Sequence, residues 1–176
     1  MKKYLDEKKK IEASEQMELI LNENKKSKIP AKRVSVVSIK IVRESSVLYE
    51  GRTIGTPSDA AELGRRFLED SDREKLIVCC LDTKNQPISV SIVSVGSLNS
   101  SIFHPREIFK TGVLSNAASV IVFHNHPSGI TDPSTEDIEA TKRIKEAGKI
   151  IGIEVLDHII VGQGNKFCSM KEKGIL

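Results

Sequence analysis

Hydrophobic residues recur along this chain either at the period of about two residues typical of strands or at the period of about 3.6 residues typical of helices. Together these patterns predict an alternating series of strands and helices. Residues 34 to 42 (VSVVSIKIV) are rich in β-branched side chains and predict a strand, and residues 47 to 54 (VLYEGRTI) predict a shorter one. A helix is expected next, because Pro57 suits a first helical turn and the apolar residues that follow it have helical spacing.

The rest of the chain continues the alternation, and each element has its own signal. Apolar runs predict strands, a proline or a serine after a polar turn predicts a helix start, and Gly148 predicts a helix stop. The predicted elements are a strand at 74–83, a strand at 88–96 that forms a hairpin with it, a helix from 104 to about 117, a strand at 119–126, a helix from 134 to about 147, and strands at 151–162 and 165–170. This order indicates an α/β (α+β) fold, with a mixed β-sheet flanked by helices.

The first 33 residues differ from the remainder in charge. They hold ten basic and six acidic residues, whereas residues 34–176 hold 17 basic and 18 acidic residues. A partial apolar stripe at helical spacing and a break at Pro30 predict a charged, mainly helical N-terminal arm over residues 1–33, and a single domain over residues 34–176. The basic arm is a weak indication of nucleic-acid contact, and a solvated helix face is the favoured explanation.

Composition narrows the class of protein. Hydrophobic residues make up 39% of the chain, but aromatic residues only 4%, so the core is expected to be aliphatic and a base-stacking surface is disfavoured. The three cysteines form no C-x-x-C pair, which predicts buried thiols and a reducing, cytoplasmic location. No apolar run is long enough for a membrane span, and the first residues do not have the pattern of a signal peptide.

Candidate chemistry is concentrated in the stretch FHNHPSGITDPSTED, residues 123–137. In a strand, His124 and His126 point to the same face and Asn125 points to the other, so the two imidazoles are able to chelate one cation. Ser134 and Asp137 have the spacing of a capping box at a helix start, which by itself requires no ligand. If the Asp137 carboxylate turns back onto the histidines, His₂Asp plus one water is a suitable catalytic zinc shell.

The same residues resemble a known family. The pattern His124-x-His126, seven residues, Ser134-x-x-Asp137 matches the JAMM motif of the JAB/MPN metalloprotease superfamily. The strings HPREIF at 104–109 and LDHIIVG at 156–162 are similar to those of its RadC branch, and the resemblance covers roughly residues 50–176. It implies a JAB/MPN (cytidine-deaminase-like) architecture for the domain.

The resemblance also implies roles for individual residues. His124, His126 and Asp137 are expected to bind Zn²⁺, Ser134 to hydrogen-bond the oxyanion, and Glu74 to serve as general base. Glu107 is the rival base, although its position in a first helical turn already has an electrostatic explanation. Residues expected to support the metal ligands from outside are Asp157, His158 and Thr141, the last by holding the Asp137 carboxylate.

The function expected from the resemblance is a zinc-dependent metallopeptidase or isopeptidase that acts on a protein or peptide. The alternative is a DNA-associated, repair-linked accessory protein with a structural or vestigial metal. Longer RadC-type proteins carry a helix-hairpin-helix domain, but residues 1–50 contain no glycine for such a hairpin, which weakens the analogy. The consecutive H-N-H differs from the spaced residues of HNH nucleases, and the H-x-E and P-C-x-x-C motifs of zinc deaminases do not occur.

Overall fold

The computed structural model describes residues 13–17, 32–96 and 104–176. The chain divides into two units, Met1–Ile39 and Lys40–Leu176. In the first unit, residues 13–17 are helical and residues 32–39 have no regular secondary structure. The remainder of the predicted N-terminal arm lies outside the described residues, and the domain boundary at residue 33 stays a prediction.

The second unit contains the predicted alternation of helices and strands. Its elements are α1 (Pro57–Leu68), β1 (Lys75–Leu81), β2 (Pro87–Val95), α2 (Pro105–Leu114), β3 (Ser119–Asn125), α3 (Thr135–Ile151), β4 (Glu154–Val161) and β5 (Phe167–Ser169). Every strand and helix predicted between residue 57 and the C-terminus is therefore confirmed, with boundaries that differ by a few residues.

The five strands form one mixed sheet in the order β2-β1-β3-β4-β5. β1 lies antiparallel to both β2 and β3, β3 and β4 are parallel, and β5 returns antiparallel to β4. The parallel pair requires a crossover, which α3 supplies between β3 and β4. The predicted class, a mixed sheet flanked by helices, is confirmed and is consistent with a JAB/MPN domain.

Two cores lie on opposite faces of the sheet, because successive side chains of each central strand point to opposite sides. Val120 and Val122 of β3 pack with residues of α2 and α3. Ile121 and Phe123, the alternate residues of the same strand, pack with α1. β3 is buried along its whole length, so the polar side chains at its end are held by a rigid, fully covered element.

The two strands predicted before α1 are wrong. Residues 32–49 have no strand pairing, and Val34, Val36 and Val37 are largely exposed. β-Branched residues favour a strand when a neighbouring strand takes the backbone hydrogen bonds and one face becomes buried. In the structure neither condition is met for residues 34–42, and in residues 47–54 Ile54 is buried and its amide donates to the Asn85 carbonyl, but no strand pairing forms.

The predicted stop of α3 at Gly148 is also wrong, because the helix continues to Ile151 and Gly152 takes the left-handed conformation (φ 80°) as its cap. Gly148 is a packing glycine: a Cβ there would lie 2.6 Å from the carbonyl oxygen of Ile153.

The cysteines are buried, as predicted, and burial raises the pKa of Cys79 to about 12, which makes it a poor nucleophile. Among the described residues, none of the helices has the length and apolar character needed to cross a bilayer.

Candidate metal centre

The end of β3 brings two imidazoles together. His124 is the penultimate residue of the strand and is fully buried, whereas His126 follows the strand and is partly open to solvent. Their Nε2 atoms lie 3.0 Å apart, so both side chains point to the same face, as their spacing predicts. The loop after them turns at Gly129 (φ 74°), whose amide donates to the His126 carbonyl, and Ser128 accepts from the Ile130 amide.

The start of α3 brings a carboxylate to the same point. The Ser134 hydroxyl accepts from the Asp137 amide, and the Asp137 carboxylate accepts from the Ser134 amide at 2.8 Å, which is the predicted capping box. Asp137 Oδ1 lies 3.2 Å from His124 Nε2, and Oδ2 lies 3.4 Å from His126 Nε2. The cap therefore fixes the carboxylate beside both histidines, and one side chain stabilises the helix and completes the cluster.

The spacing of these atoms fits a bound metal ion. Among the described residues, His124, His126 and Asp137 form a group that is able to hold one. A tetrahedral ion with bonds of about 2.0–2.1 Å separates its ligand atoms by about 3.3–3.4 Å, close to the three distances between these side chains. Two imidazole nitrogens and a carboxylate oxygen face one small volume, and this arrangement favours binding of a cation there.

The outer nitrogens of the two histidines have separate partners. His126 Nδ1 lies 2.7 Å from the Ile130 carbonyl, an acceptor only, so His126 donates from Nδ1 and its Nε2 faces the cluster. His124 Nδ1 lies 2.8 Å from Nε2 of the buried His158 on β4. Metal-binding histidines usually have such an outer partner, which fixes the orientation of the ring.

The charges of the cluster are strongly coupled. Burial on its own raises the pKa of Asp137, but the neighbouring His124, His126 and Ser134 side chains together outweigh it and hold that pKa far below its usual range. The bond to Asp137 raises the pKa of His126. Burial lowers the pKa of His124, and it lowers the pKa of His158 further. The carboxylate is thus ionised and the two buried imidazoles are neutral near pH 7.

Glu74 lies immediately before β1, on the side of the sheet that carries the cluster. Leu76 pairs with His124, so the register continued by two residues places Glu74 opposite His126 and on the same face. The negative charge of Glu74 adds to the rise in the pKa of His126, and it partly opposes the lowering of the pKa of His124 by burial. The rival, Glu107, is bonded to Lys110 and Arg106 at the surface of α2, and these contacts lower its pKa.

Asn125 holds the backbone around Glu74, a contact that the sequence does not reveal. Its side-chain oxygen accepts from the Lys75 amide at 2.9 Å, and its side-chain nitrogen donates to the Arg73 carbonyl at 3.1 Å. Strand periodicity predicts that Asn125 faces away from the histidines and is structural, and its two bonds to the backbone at the start of β1 agree with a structural role. Only the tertiary pairing of β1 with β3 shows which segment it fixes.

The remaining predicted residues lie near the cluster in different ways. The Ser134 hydroxyl donates to Asp137 Oδ2 at 2.7 Å, and the residue is exposed. Thr141 contacts the Asp137 carbonyl, not its carboxylate as expected, and it also contacts His158. Asp157 accepts from the amides of His158 and Lys171 and from the Ser169 hydroxyl, so it joins β4 to β5 and to the segment after β5.

Comparison with known proteins agrees with this geometry. A family model described as "RadC-like JAB domain" matches residues 54–175. A UPF0758 protein from Methanosarcina barkeri is 48% identical over 133 residues, covering 76% of this chain and 58% of that protein. A UPF0758 protein from Desulforamulus reducens is 53% identical over 149 residues, covering 78% of this chain and 65% of that protein. A UPF0758 protein from Clostridium acetobutylicum is 52% identical over 128 residues, covering 73% of this chain and 56% of that protein. The chain thus spans about three fifths of the length of these relatives, whose names state no activity.

Proposed function

The chain belongs to the RadC-like JAB domain family, and we propose that it is a zinc-dependent metallopeptidase or isopeptidase that hydrolyses an amide bond in a protein or peptide. The observation that carries this proposal is the convergence of His124, His126 and Asp137, with Glu74 beside them on the same face of the sheet. A structural cluster needs no exposed side, whereas His126 is partly open to solvent and Ser134 is exposed.

The donor set favours zinc among common metal ions. Two imidazole nitrogens and one carboxylate suit Zn²⁺, and three protein ligands leave a fourth position open. When bound, the ion supplies Lewis acidity, which lowers the pKa of a water ligand to about 7 and polarises the scissile carbonyl. His124, His126 and Asp137 would hold it, and their outer hydrogen bonds keep them in place without further rearrangement.

Glu74 is the proposed general base. The register of β1 and β3, continued by two residues, places Glu74 opposite His126, and in the proposal its carboxylate takes a proton from the attacking water and later delivers that proton to the leaving amine. The two backbone bonds from Asn125 fix the residues on either side of it. Because the backbone around Glu74 is already fixed, no further backbone conformational entropy is lost when the carboxylate is positioned beside the water.

Ser134 is the proposed donor to the oxyanion. Its hydroxyl now donates to Asp137 Oδ2, an oxygen that also lies 3.4 Å from His126 Nε2. In the reaction the hydroxyl turns from Asp137 toward the developing negative charge, and the Ser134 amide continues to hold the carboxylate. Its contribution to rate is thus separable from its contribution to the helix cap.

Metal analysis tests the proposal first. Plasma mass spectrometry of the purified protein, supplied with zinc and dialysed, is expected to give about one zinc per chain, and His126→Ala and Asp137→Ala are expected to give almost none. Peptide and isopeptide substrates are then screened with Glu74→Gln as a control that keeps the metal and loses turnover. A wild-type protein that takes up no zinc, or a Glu74→Gln variant with full activity, would contradict the proposal.

The DNA-associated alternative has less support in the described part of the chain. It depends on the family name and on the basic arm, most of which lies outside the described residues. DNA binding that falls steeply with salt and survives removal of the metal by a chelator would favour this alternative.

A further inference from the structure

A buried chain of three contacts links the backbone of α3 to the candidate ligand His124. Thr141 Oγ1 lies 2.7 Å from the Asp137 carbonyl oxygen and 2.6 Å from His158 Nδ1. His158 Nε2 then lies 2.8 Å from His124 Nδ1. His124 and His158 are 0% exposed and Thr141 is 1% exposed, so these contacts are sealed from water.

The direction of each hydrogen bond follows from the groups present. A carbonyl oxygen only accepts, and two oxygens 2.7 Å apart repel unless a hydrogen lies between them, so Thr141 donates to Asp137. The hydroxyl has a single hydrogen, and therefore His158 Nδ1 must donate to Thr141. A neutral His158 then accepts at Nε2 from His124 Nδ1–H, so His124 Nε2 carries a lone pair in place of a hydrogen.

We propose that Thr141 and His158 are positioning residues that fix the tautomer of His124, so that its Nε2 lone pair faces the metal position. The proposal rests on the metal site of the proposed function but not on its peptidase chemistry. His126 reaches the same state by a different device, its bond to the Ile130 carbonyl. The tautomer of His126 is thus fixed by the turn that follows it, and the tautomer of His124 is fixed by the contacts from the Asp137 carbonyl through Thr141 and His158, which we call the relay.

The opposite arrangement has a specific cost. If His124 carried its hydrogen on Nε2 and donated to Asp137, His158 would donate to His124 and Thr141 would have to donate to His158. The short contact between Thr141 Oγ1 and the Asp137 carbonyl would then hold no hydrogen. The 3.2 Å distance from His124 Nε2 to Asp137 Oδ1 is also longer than a charge-assisted hydrogen bond, which is usually about 2.7–2.9 Å.

The relay connects two of the candidate ligands, Asp137 and His124. Thr141 lies one helical turn after Asp137, so the turn that delivers the carboxylate also orients the imidazole of His124 through His158. Loss of an outer partner of this kind typically costs about 10- to 100-fold in metal affinity. Removal of the Thr141 hydroxyl is therefore expected to weaken zinc binding although Thr141 itself is not a ligand.

The tautomer is measured directly in the metal-free wild-type protein. Long-range ¹H–¹⁵N spectra of protein labelled with ¹⁵N-histidine distinguish a proton on Nδ1 from one on Nε2. We expect Nδ1–H for both His124 and His158 at alkaline pH. A spectrum with His124 protonated on Nε2 would overturn the inference, and this result does not depend on whether any variant folds.

Zinc affinity tests the consequence with a matched pair of variants. Competition against a chromophoric chelator is expected to show that Thr141→Val binds zinc about 10- to 100-fold more weakly than wild type, and that Thr141→Ser, which keeps the hydroxyl, binds within a few-fold. Equal affinities for Thr141→Val and wild type would contradict the role of the relay. If the wild type binds no zinc but shows the expected tautomers, the proposed function fails and the relay stands.

Discussion

Replacing Asn125 with alanine tests whether the junction of β1 and β3 holds the segment that carries Glu74. Asn125 is 5% exposed, and its amide bonds the backbone on both sides of Glu74, at the Arg73 carbonyl and the Lys75 amide. Asn125→Ala removes both bonds without adding bulk. The backbone at the start of β1 then loses a clamp that the sheet register does not replace.

The size of the effect follows from these two bonds. A hydrogen bond of this type contributes about 0.5–1.5 kcal/mol net, so their loss lowers the free energy of unfolding by about 1–3 kcal/mol. Asn125→Asp is expected to be no more stable than Asn125→Ala, because its carboxylate still accepts from the Lys75 amide but places a buried, charged oxygen against the Arg73 carbonyl oxygen. A matched control is Asn165→Ala, in the exposed turn after β4, which is expected to change stability by less than about 0.5 kcal/mol.

Two measurements on the metal-free protein check this reasoning. Urea unfolding gives the free-energy difference, and amide hydrogen exchange reports whether the Lys75 amide has lost its protection, as expected for Asn125→Ala. The reasoning is refuted if Asn125→Ala matches the Asn165→Ala control in stability and the Lys75 amide exchanges at the wild-type rate.

Three further predictions follow from the described contacts. Asp137→Asn removes the charge of the cluster and is expected to abolish zinc uptake in equilibrium dialysis; retention of a full equivalent would exclude Asp137 as a ligand. Gly148→Ala places a Cβ 2.6 Å from the Ile153 carbonyl and is expected to cost about 1–3 kcal/mol by urea unfolding, and an unchanged midpoint would contradict this. Stability of the metal-free protein is expected to fall below about pH 6.5, because burial lowers the folded-state pKa of His124 and His158 and the unfolded chain is protonated first. Each contributes a slope of up to about 1.4 kcal/mol per pH unit, and His126, whose pKa Asp137 raises, contributes in the opposite direction, so the net slope corresponds to about one histidine. Urea unfolding at pH 7.5, 6.5 and 5.5 that shows no loss of stability toward low pH would contradict this.

The elements from residue 57 onward could be predicted because their signals are local. Pro57 and Ser134 mark helix starts, and the apolar runs around them have the period of the element they form. The strand prediction for residues 34–42 was wrong because β-propensity describes a side chain on a paired, half-buried surface. The helix stop predicted at Gly148 is wrong for a related reason. A glycine is needed there because the Ile153 carbonyl lies close to it, and only the folded chain brings these two residues together.

The candidate ligands could be predicted because His124, His126 and Asp137 are joined by strand and helix geometry over a short stretch of chain. Their outer partners are a different case. Thr141 was assigned to the carboxylate of Asp137, but its hydroxyl bonds the carbonyl and His158, since a side chain on a helix reaches the backbone one turn earlier most easily. The role of Asn125 depends on the register between β1 and β3, which is not encoded in any one segment.

The short separation of the three candidate ligands has a consequence for the order of folding. All three lie within residues 124–137, so bringing them together closes only a small loop, at little entropic cost. His158 is on β4, which has to dock beside β3 by a longer-range step. We therefore expect the β3–α3 segment to assemble early as a low-contact-order nucleus, and the docking of β4 to be the later step that locks the His124 ring in its final orientation.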